Sequence, residues 1–284
     1  MRRKGKGRQR PEEGFHAKHE LGQNFILDEQ LTEELVNCAG VNPGDGVIEI
    51  GPGMGTMTKQ LAAVTDHVTA IEVDESLRPF LTVALEHTKA KVIYADVLSI
   101  DMKAIAQAMP EGIPIRVVAN IPYYITGEIL EKVMRELPDA VSMSFMIQKE
   151  VAETMMAEPG KEGYGPLAIK CQMRYTVTKA LDVPAERFTP RPHVDSAFIR
   201  MDKRPELLYP VQDLHFFENM VSRVFLLRRK TLVNNLISQY ALGRETCIAL
   251  LQEAGISEQA RAEALSLQQM ADLCNHLWER VNGK

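Results

Sequence analysis

Gly46-Val47-Ile48-Glu49-Ile50-Gly51-Pro52-Gly53-Met54-Gly55 decides how the rest of the chain is read. Five residues of strand type run into three glycines at alternate positions, and a helical stretch over 56–64 follows. Glycines so placed let a backbone turn sharply and approach a ligand where a Cβ would clash. The same unit recurs: strand-type runs at Val68–Val73, Lys91–Ala95, Ile115–Ala119 and Val141–Ile147 are separated by helical stretches near 75–87, 101–108 and 126–136. Strands joined through helices cannot be hairpins, so the pattern predicts parallel pairing by right-handed crossovers, a doubly wound α/β sheet.

Upstream of this core, Asp28 is placed to cap a helix through Cys38, with Leu31, Leu35, Val36 and Ala39 at helical spacing and Gly40 as its stop. Downstream, Thr176–Val183 and Val194–Met201 are close enough to pair at one edge, which makes the sheet mixed. After Pro205–Pro210 the periodicity turns helical. Leu214, Phe217, Met220, Val221 and Val224 share a face, and further helices are predicted near 229–240, 244–253, 258–264 and 267–281. The expected organisation is a basic tail over 1–20, a sheet domain over 21–205 and a small all-helical C-terminal domain over 206–284.

A chain of 284 residues has room for a large and a small domain, and 45% hydrophobic with 25% charged residues is an ordinary globular composition. No apolar run approaches the roughly 20 residues of a membrane span. The basic N-terminus has no apolar segment behind it, so a secretory signal is not expected and a cytoplasmic location is. Cys38, Cys171, Cys247 and Cys274 lie far apart, which predicts reduced thiols in place of disulfides or a zinc site, and His193 and the other six histidines show no ligand spacing. No metal is expected. The net charge of −5 hides an uneven distribution: residues 1–20 hold seven Lys and Arg against three acids, and Arg228-Arg229-Lys230 form a basic cluster. A local basic surface can therefore sit on an acidic protein.

Ligands of open α/β sheets bind beyond the carboxyl ends of the strands. A dinucleotide turn needs glycine at the sixth place of G-x-G-x-x-G, where this chain has Thr56; its G-x-G-x-G suits a ligand without a pyrophosphate. The second strand ends Glu72-Val73-Asp74, at the distance where a carboxylate accepts both ribose hydroxyls; either acid can serve, and Glu72 is the one at the strand's end. Asp96, beside apolar Val97, offers an acceptor for an adenine amine at the third strand's end. Together these describe an adenosine-bearing cofactor. The fourth strand ends Asn120-Ile121-Pro122-Tyr123-Tyr124. The Asn120 side-chain oxygen and the Ile121 carbonyl can both accept from one NH2 group, Pro122 keeps that carbonyl out of a helix, and Tyr123 can stack on the base carrying the amine. Tyr124 is expected to pack.

Leu21-Gly22-Gln23-Asn24-Phe25-Ile26, Glu49–Gly55, Asn120–Tyr123, Phe188–Ser196 and Arg228–Leu236, in this order, resemble the ribosomal RNA adenine N6,N6-dimethyltransferases of the KsgA type from about Leu21 onward. Ile26 and Ile121 stand where that family usually has Leu, and neither change removes a polar group. The resemblance implies a Rossmann-like class I methyltransferase fold with S-adenosyl-L-methionine as cofactor. It implies Gln23, Asn24 and the backbone of Ile26 closing over that cofactor, Gly51 and Gly53 beneath it, Glu72 on the ribose, Asp96 and Val97 at the adenine, and Asn120 between donor and acceptor. It further implies action on two adjacent adenosines near the 3′ end of small-subunit rRNA within the immature 30S subunit; nothing in the sequence demands more than a monomer.

An adenine extruded from its stack calls for aromatic faces. Phe188 is the second candidate after Tyr123, since Pro190 and Pro192 stiffen the chain behind it. Arg228, Arg229 and Lys230, near a predicted helix start, are candidates for phosphate contact, and the poor helix formers Asn234 and Asn235 hint at a role there. The competing readings are a large-subunit rRNA methyltransferase of the antibiotic-resistance type, a ribosome-assembly factor acting by binding, and a nicotinamide oxidoreductase, the last disfavoured by Thr56.

Overall fold

The computed structural model describes Lys18 and residues 21–283; the expected basic tail lies, Lys18 apart, outside the described residues. In chain order its elements are β1 (Phe25–Ile26), α1 (Glu29–Ala39), β2 (Gly46–Ile50), α2 (Thr56–Val64), β3 (His67–Glu72), α3 (Arg78–Ala84), β4 (Lys91–Tyr94), α4 (Met102–Gln107), β5 (Ile115–Asn120), α5 (Thr126–Glu136), β6 (Ser142–Gln148), α6 (Lys149–Met155), α7 (Pro166–Arg174), β7 (Tyr175–Val183), β8 (Phe188–Thr189) and β9 (Ser196–Lys203). Helices α8 (Leu214–Val224), α9 (Leu232–Tyr240), α10 (Arg244–Glu253) and α11 (Leu267–Asn282) follow.

The doubly wound sheet is present, with order β4-β3-β2-β5-β6-β9-β7. Strands β2 to β6 pair in parallel and β9 runs antiparallel to β6, as a mixed edge requires. Strand β2 is buried along its whole length, which is why its sequence reads as an apolar run without alternation. From β2 the chain winds one way to β3 and β4 and then returns to place β5 on the other side. The resulting switch point lies between the carboxyl ends of β2 and β5. Asp28 caps α1 by accepting from the amides of Gln30 and Leu31, and Gly40 ends it at φ 64°.

One feature is additional to the expectations, and three expectations need correction. A second, two-stranded sheet pairs β1 with β8 antiparallel, Phe25 opposite Thr189 and Ile26 opposite Phe188. The chain divides into a unit of residues up to 152 with 178–203 and a unit of 153–177 with 204–284, so the helical unit also takes a segment that a boundary at 205 assigns to the sheet domain. The predicted helix at 258–264 is a single 3-10 turn, Ala262–Ala264. The helix predicted from 229 begins at Leu232, after turn structure over 225–230. In the helical unit, Phe217, Met220, Val221 and Val224 of α8 pack with Leu232, Leu250, Leu273 and Leu277 in one apolar core. Among the described residues no helix is long and apolar enough to cross a membrane.

Candidate active site

A cavity of about 390 Å³ opens at the carboxyl ends of the central strands, lined by residues 21–26, 49–54, 71–73, 95–98 and 120–125. Four of the lining stretches leave β2, β3, β4 and β5, and the fifth runs into β1. Gly51 (φ 72°) and Gly53 (φ 55°) adopt the left-handed conformation that disfavours any other residue. Space demands glycine too: a Cβ at Gly53 would lie 2.8 Å from the Phe25 ring.

Buried Glu72 accepts from the Gly53 amide at 3.2 Å and the Asp74 amide at 2.8 Å, so its carboxylate ties the glycine turn to the end of β3. Burial pushes its carboxyl up despite these two hydrogen bonds. Asp74 is spent elsewhere. It accepts from Lys18 Nζ (2.7 Å), Gln23 Nε2 (2.8 Å) and the Ser76 hydroxyl (2.6 Å), and against the opposing effect of burial these donors bring its carboxyl down to about 2. Of the two acids that the sequence offers for a ribose, the structure thus leaves Glu72 on the cavity wall and uses Asp74 to hold Lys18 and Gln23. Asp96, exposed, lines the cavity beside buried Val97 and accepts from the Leu98 amide at 2.8 Å.

Glu49 is wholly buried on the cavity wall, and neither carboxyl oxygen has a hydrogen-bond partner. Burial, with the neighbouring charge of Glu72, pushes its carboxyl from 4.5 up to about 8, against the effect of the Thr58 hydroxyl. The folded protein therefore holds a proton there that the unfolded chain releases near pH 4.5. That stabilisation is complete below the unfolded value and is lost as pH rises through the folded one. Glu49→Gln should accordingly flatten the decline of melting temperature between pH 5 and 8 by several degrees, measured by calorimetry; parallel profiles for both proteins would refute the neutral acid.

Asn120, the last residue of β5, donates from Nδ2 to the Asn24 carbonyl at 2.9 Å. This commits the amide nitrogen to the segment 21–26 and leaves Oδ1 as an acceptor on the cavity wall, beside the Ile121 backbone. The Tyr123 hydroxyl is 2.5 Å from Ser196 Oγ, a buried group at the start of β9, so this ring is pinned at the wall. The assembly is a pocket whose lining includes the Glu72 carboxylate, apolar side chains, the Asn120 amide and the Tyr123 ring.

The sequence profile described as "Ribosomal RNA adenine dimethylase" matches residues 14–279. The chain belongs to that family. Proteins named "Ribosomal RNA small subunit methyltransferase A" are similar over nearly the whole length: that of Bacillus licheniformis is 40% identical over 94% of this chain and 93% of its own, and that of Oceanobacillus iheyensis 38% over 93% and 92%. Among solved structures, the 23S rRNA methyltransferase ErmE is 26% identical with TM-score 0.68, covering 89% of this chain and 99% of its own. A dimethyladenosine transferase from Plasmodium falciparum, 21% identical over 90% and 97%, shares the fold with TM-score 0.75. The sheet domain of this dimethylase-family chain has the class I methyltransferase fold.

The structure brings Gln23, Asn24, Ile26, Gly51, Gly53, Glu72, Asp96, Val97, Asn120, Ile121, Pro122 and Tyr123 to one cavity. It does not bring Phe188 there. That ring is 3% exposed and packs with Ile26, Leu35, Val118 and Phe198, because β8 pairs with β1 and turns Phe188 into the core. The prolines behind it do not hold it at the cleft. Arg228, Arg229 and Lys230 are exposed, but in the turn that precedes α9 and not on the helix. Asn234 is exposed; Asn235 is 1% exposed and cannot reach RNA. Its Nδ2 lies 3.2 Å from the Leu227 carbonyl and 3.4 Å from that of Lys230, so it braces the basic turn from within. Two residues escaped the sequence reading: Tyr124, expected to pack, is 58% exposed on the cavity wall, and Lys18 is Asp74's partner. Among the described residues no group of His, Cys, Asp or Glu is placed to hold a metal ion.

Proposed function

We propose that this chain uses S-adenosyl-L-methionine to dimethylate the N6 amine of two adjacent adenosines near the 3′ end of small-subunit rRNA, acting in the cytoplasm as a monomer on the immature 30S subunit. The observation that carries the chemistry is the fixed side chain of Asn120 on the cavity wall, whose nitrogen is committed to the Asn24 carbonyl and whose oxygen is left to accept. The residues present fit the cofactor: the glycine turn leaves room for a ligand, Glu72 offers a carboxylate to a ribose, Asp96 an acceptor to an adenine amine, and the unpartnered Glu49 a polar group on the same wall. When bound, the cofactor supplies an electrophilic sulfonium methyl.

An adenine amine is a weak nucleophile because its lone pair is delocalised into the ring. Acceptance of both N–H hydrogens by Asn120 Oδ1 and the Ile121 carbonyl draws the nitrogen toward tetrahedral geometry and localises that pair. Preorganised acceptors act where charge develops, and the methylated ammonium readily sheds its proton to water, so no strong base is needed in the cavity. Tyr123, held through its hydroxyl, presents its ring to the base. The 38–40% identity with proteins named for the small subunit, against 26% with ErmE, favours the small-subunit reading over the large-subunit one. Membership of a dimethylase family leaves no support for a nicotinamide enzyme.

Labelled S-adenosylmethionine incubated with small ribosomal subunits lacking the modification, followed by nucleoside analysis, tests this. N6,N6-dimethyladenosine is expected; label in large-subunit RNA instead, or tight binding without transfer, would overturn it in favour of the resistance-type or assembly-factor readings. For the basic turn, reversal of Arg228, Arg229 and Lys230 to Glu should weaken RNA binding at least tenfold and make its salt dependence shallower, with cofactor affinity unchanged. An unaltered salt slope would remove the turn from the RNA interface.

A further inference from the structure

Tyr123 and Tyr124 are consecutive residues of one 3-10 turn, Tyr123–Ile125. At about three residues per turn their side chains leave the backbone roughly 120° apart, so the two rings cannot sandwich one base. The Tyr123 ring is tied inward through Ser196. Tyr124 lies on the same cavity yet is 58% exposed, which places it at the opening. It is also held. A Cβ built at Gly22 would lie 3.1 and 3.2 Å from its Cδ1 and Cε1, so the ring rests against a residue of the segment 21–26 whose φ of +59° and lack of a side chain both suit glycine. Thr126 accepts nothing from this ring but donates its hydroxyl toward the Tyr123 carbonyl at 3.2 Å, fixing the turn itself.

Resting on the functional reading above, we propose that Tyr124 is a second base platform: it stacks on the unpaired base next to the adenine whose amine is in the cavity. Extruding one base leaves its neighbour with an uncovered face, and an aromatic ring at the opening covers it. Stacking tolerates any base, because every base has a π face. The site thus takes a single-stranded dinucleotide, one base held by hydrogen bonds within and one by stacking at the mouth.

The test is steady-state methyl transfer to unmodified small ribosomal subunits by the full-length protein and its Tyr124→Phe, Tyr124→Leu and Tyr124→Ala variants, with cofactor Kd measured alongside. Phe should behave as Tyr. Leu and Ala should each raise KM for the subunit about tenfold or more, with kcat and cofactor Kd within twofold. A ring that merely props the segment 21–26 would be replaced adequately by Leu and, when lost, would weaken cofactor binding. Wild-type KM in the Ala variant, rescue by Leu, or a parallel loss of cofactor affinity therefore overturns the platform while leaving the functional reading intact. Absence of transfer by the unsubstituted protein to any ribosomal RNA would overturn that reading and the platform with it.

Discussion

Asn120→Ala is expected to lower methyl transfer by about 10²–10³ in kcat while changing cofactor Kd by less than tenfold. The size follows from what the side chain does. One preorganised acceptor at a centre of developing charge is worth roughly 3–4 kcal/mol in the transition state, and that is the role proposed for Asn120 Oδ1 at the end of β5. Its geometry is not left to chance, because Nδ2 is held by the Asn24 carbonyl at 2.9 Å. Asn120→Asp is the informative companion. It keeps acceptor oxygens but sets a carboxylate against the Asn24 carbonyl, so it too should fall well below the natural residue. Single-turnover rates at saturating cofactor and RNA decide the matter; near-normal rates for the Ala variant would sink the role.

The second large effect belongs to cofactor binding. Glu72→Ala should raise the cofactor Kd by about 10²-fold or more and lower the melting temperature, with kcat at saturating cofactor retained within tenfold. Each of the carboxylate's oxygens already serves the fold, accepting from the Gly53 and Asp74 amides. Deleting it removes the proposed ribose acceptor and strands two backbone donors, at about 1–3 kcal/mol for each buried one. Glu72→Gln keeps one acceptor oxygen and should fall between. Calorimetric titration with the cofactor product S-adenosylhomocysteine reads this directly, and an unchanged Kd in the Ala variant would move the ribose elsewhere.

Strands β2 to β6 were legible because each is a short apolar run between turn signals, and the glycine turn and the Asn120 loop fell where strands of a doubly wound sheet end. What escaped was set by distant partners. Strands β1 and β8 are two residues each and exist only because Phe25 and Ile26 find Thr189 and Phe188, a pairing with no local periodicity. The same pairing buries Phe188, whose flanking prolines suggested exposure. Helices α6 and α7 are separated by a stretch containing Gly160, Gly163 and Gly165, which blurs helical periodicity between 149 and 174. Asn235 read as a surface residue because asparagine is a weak helix former; it is tolerated in α9 because its amide satisfies carbonyls of the preceding turn. The division of labour between Glu72 and Asp74 depends on Lys18 and Gln23, more than 50 positions away.

The discontinuous sheet unit, interrupted by residues 153–177, has a consequence for the order in which a ribosome delivers the chain. Strand β6 is made long before β9, which must come to lie beside it, and the interrupting segment emerges before residues 204–284 that complete its own unit. During synthesis of roughly the stretch 149–195, the growing chain carries an apolar strand with an open hydrogen-bonding edge and a fragment of a second core that has nothing to pack against. Unpaired edges and exposed apolar surface are what drive mispairing. This interval is therefore the vulnerable window of the protein's biogenesis, and it closes in two steps, the sheet first and the helical unit only as the C-terminal helices appear.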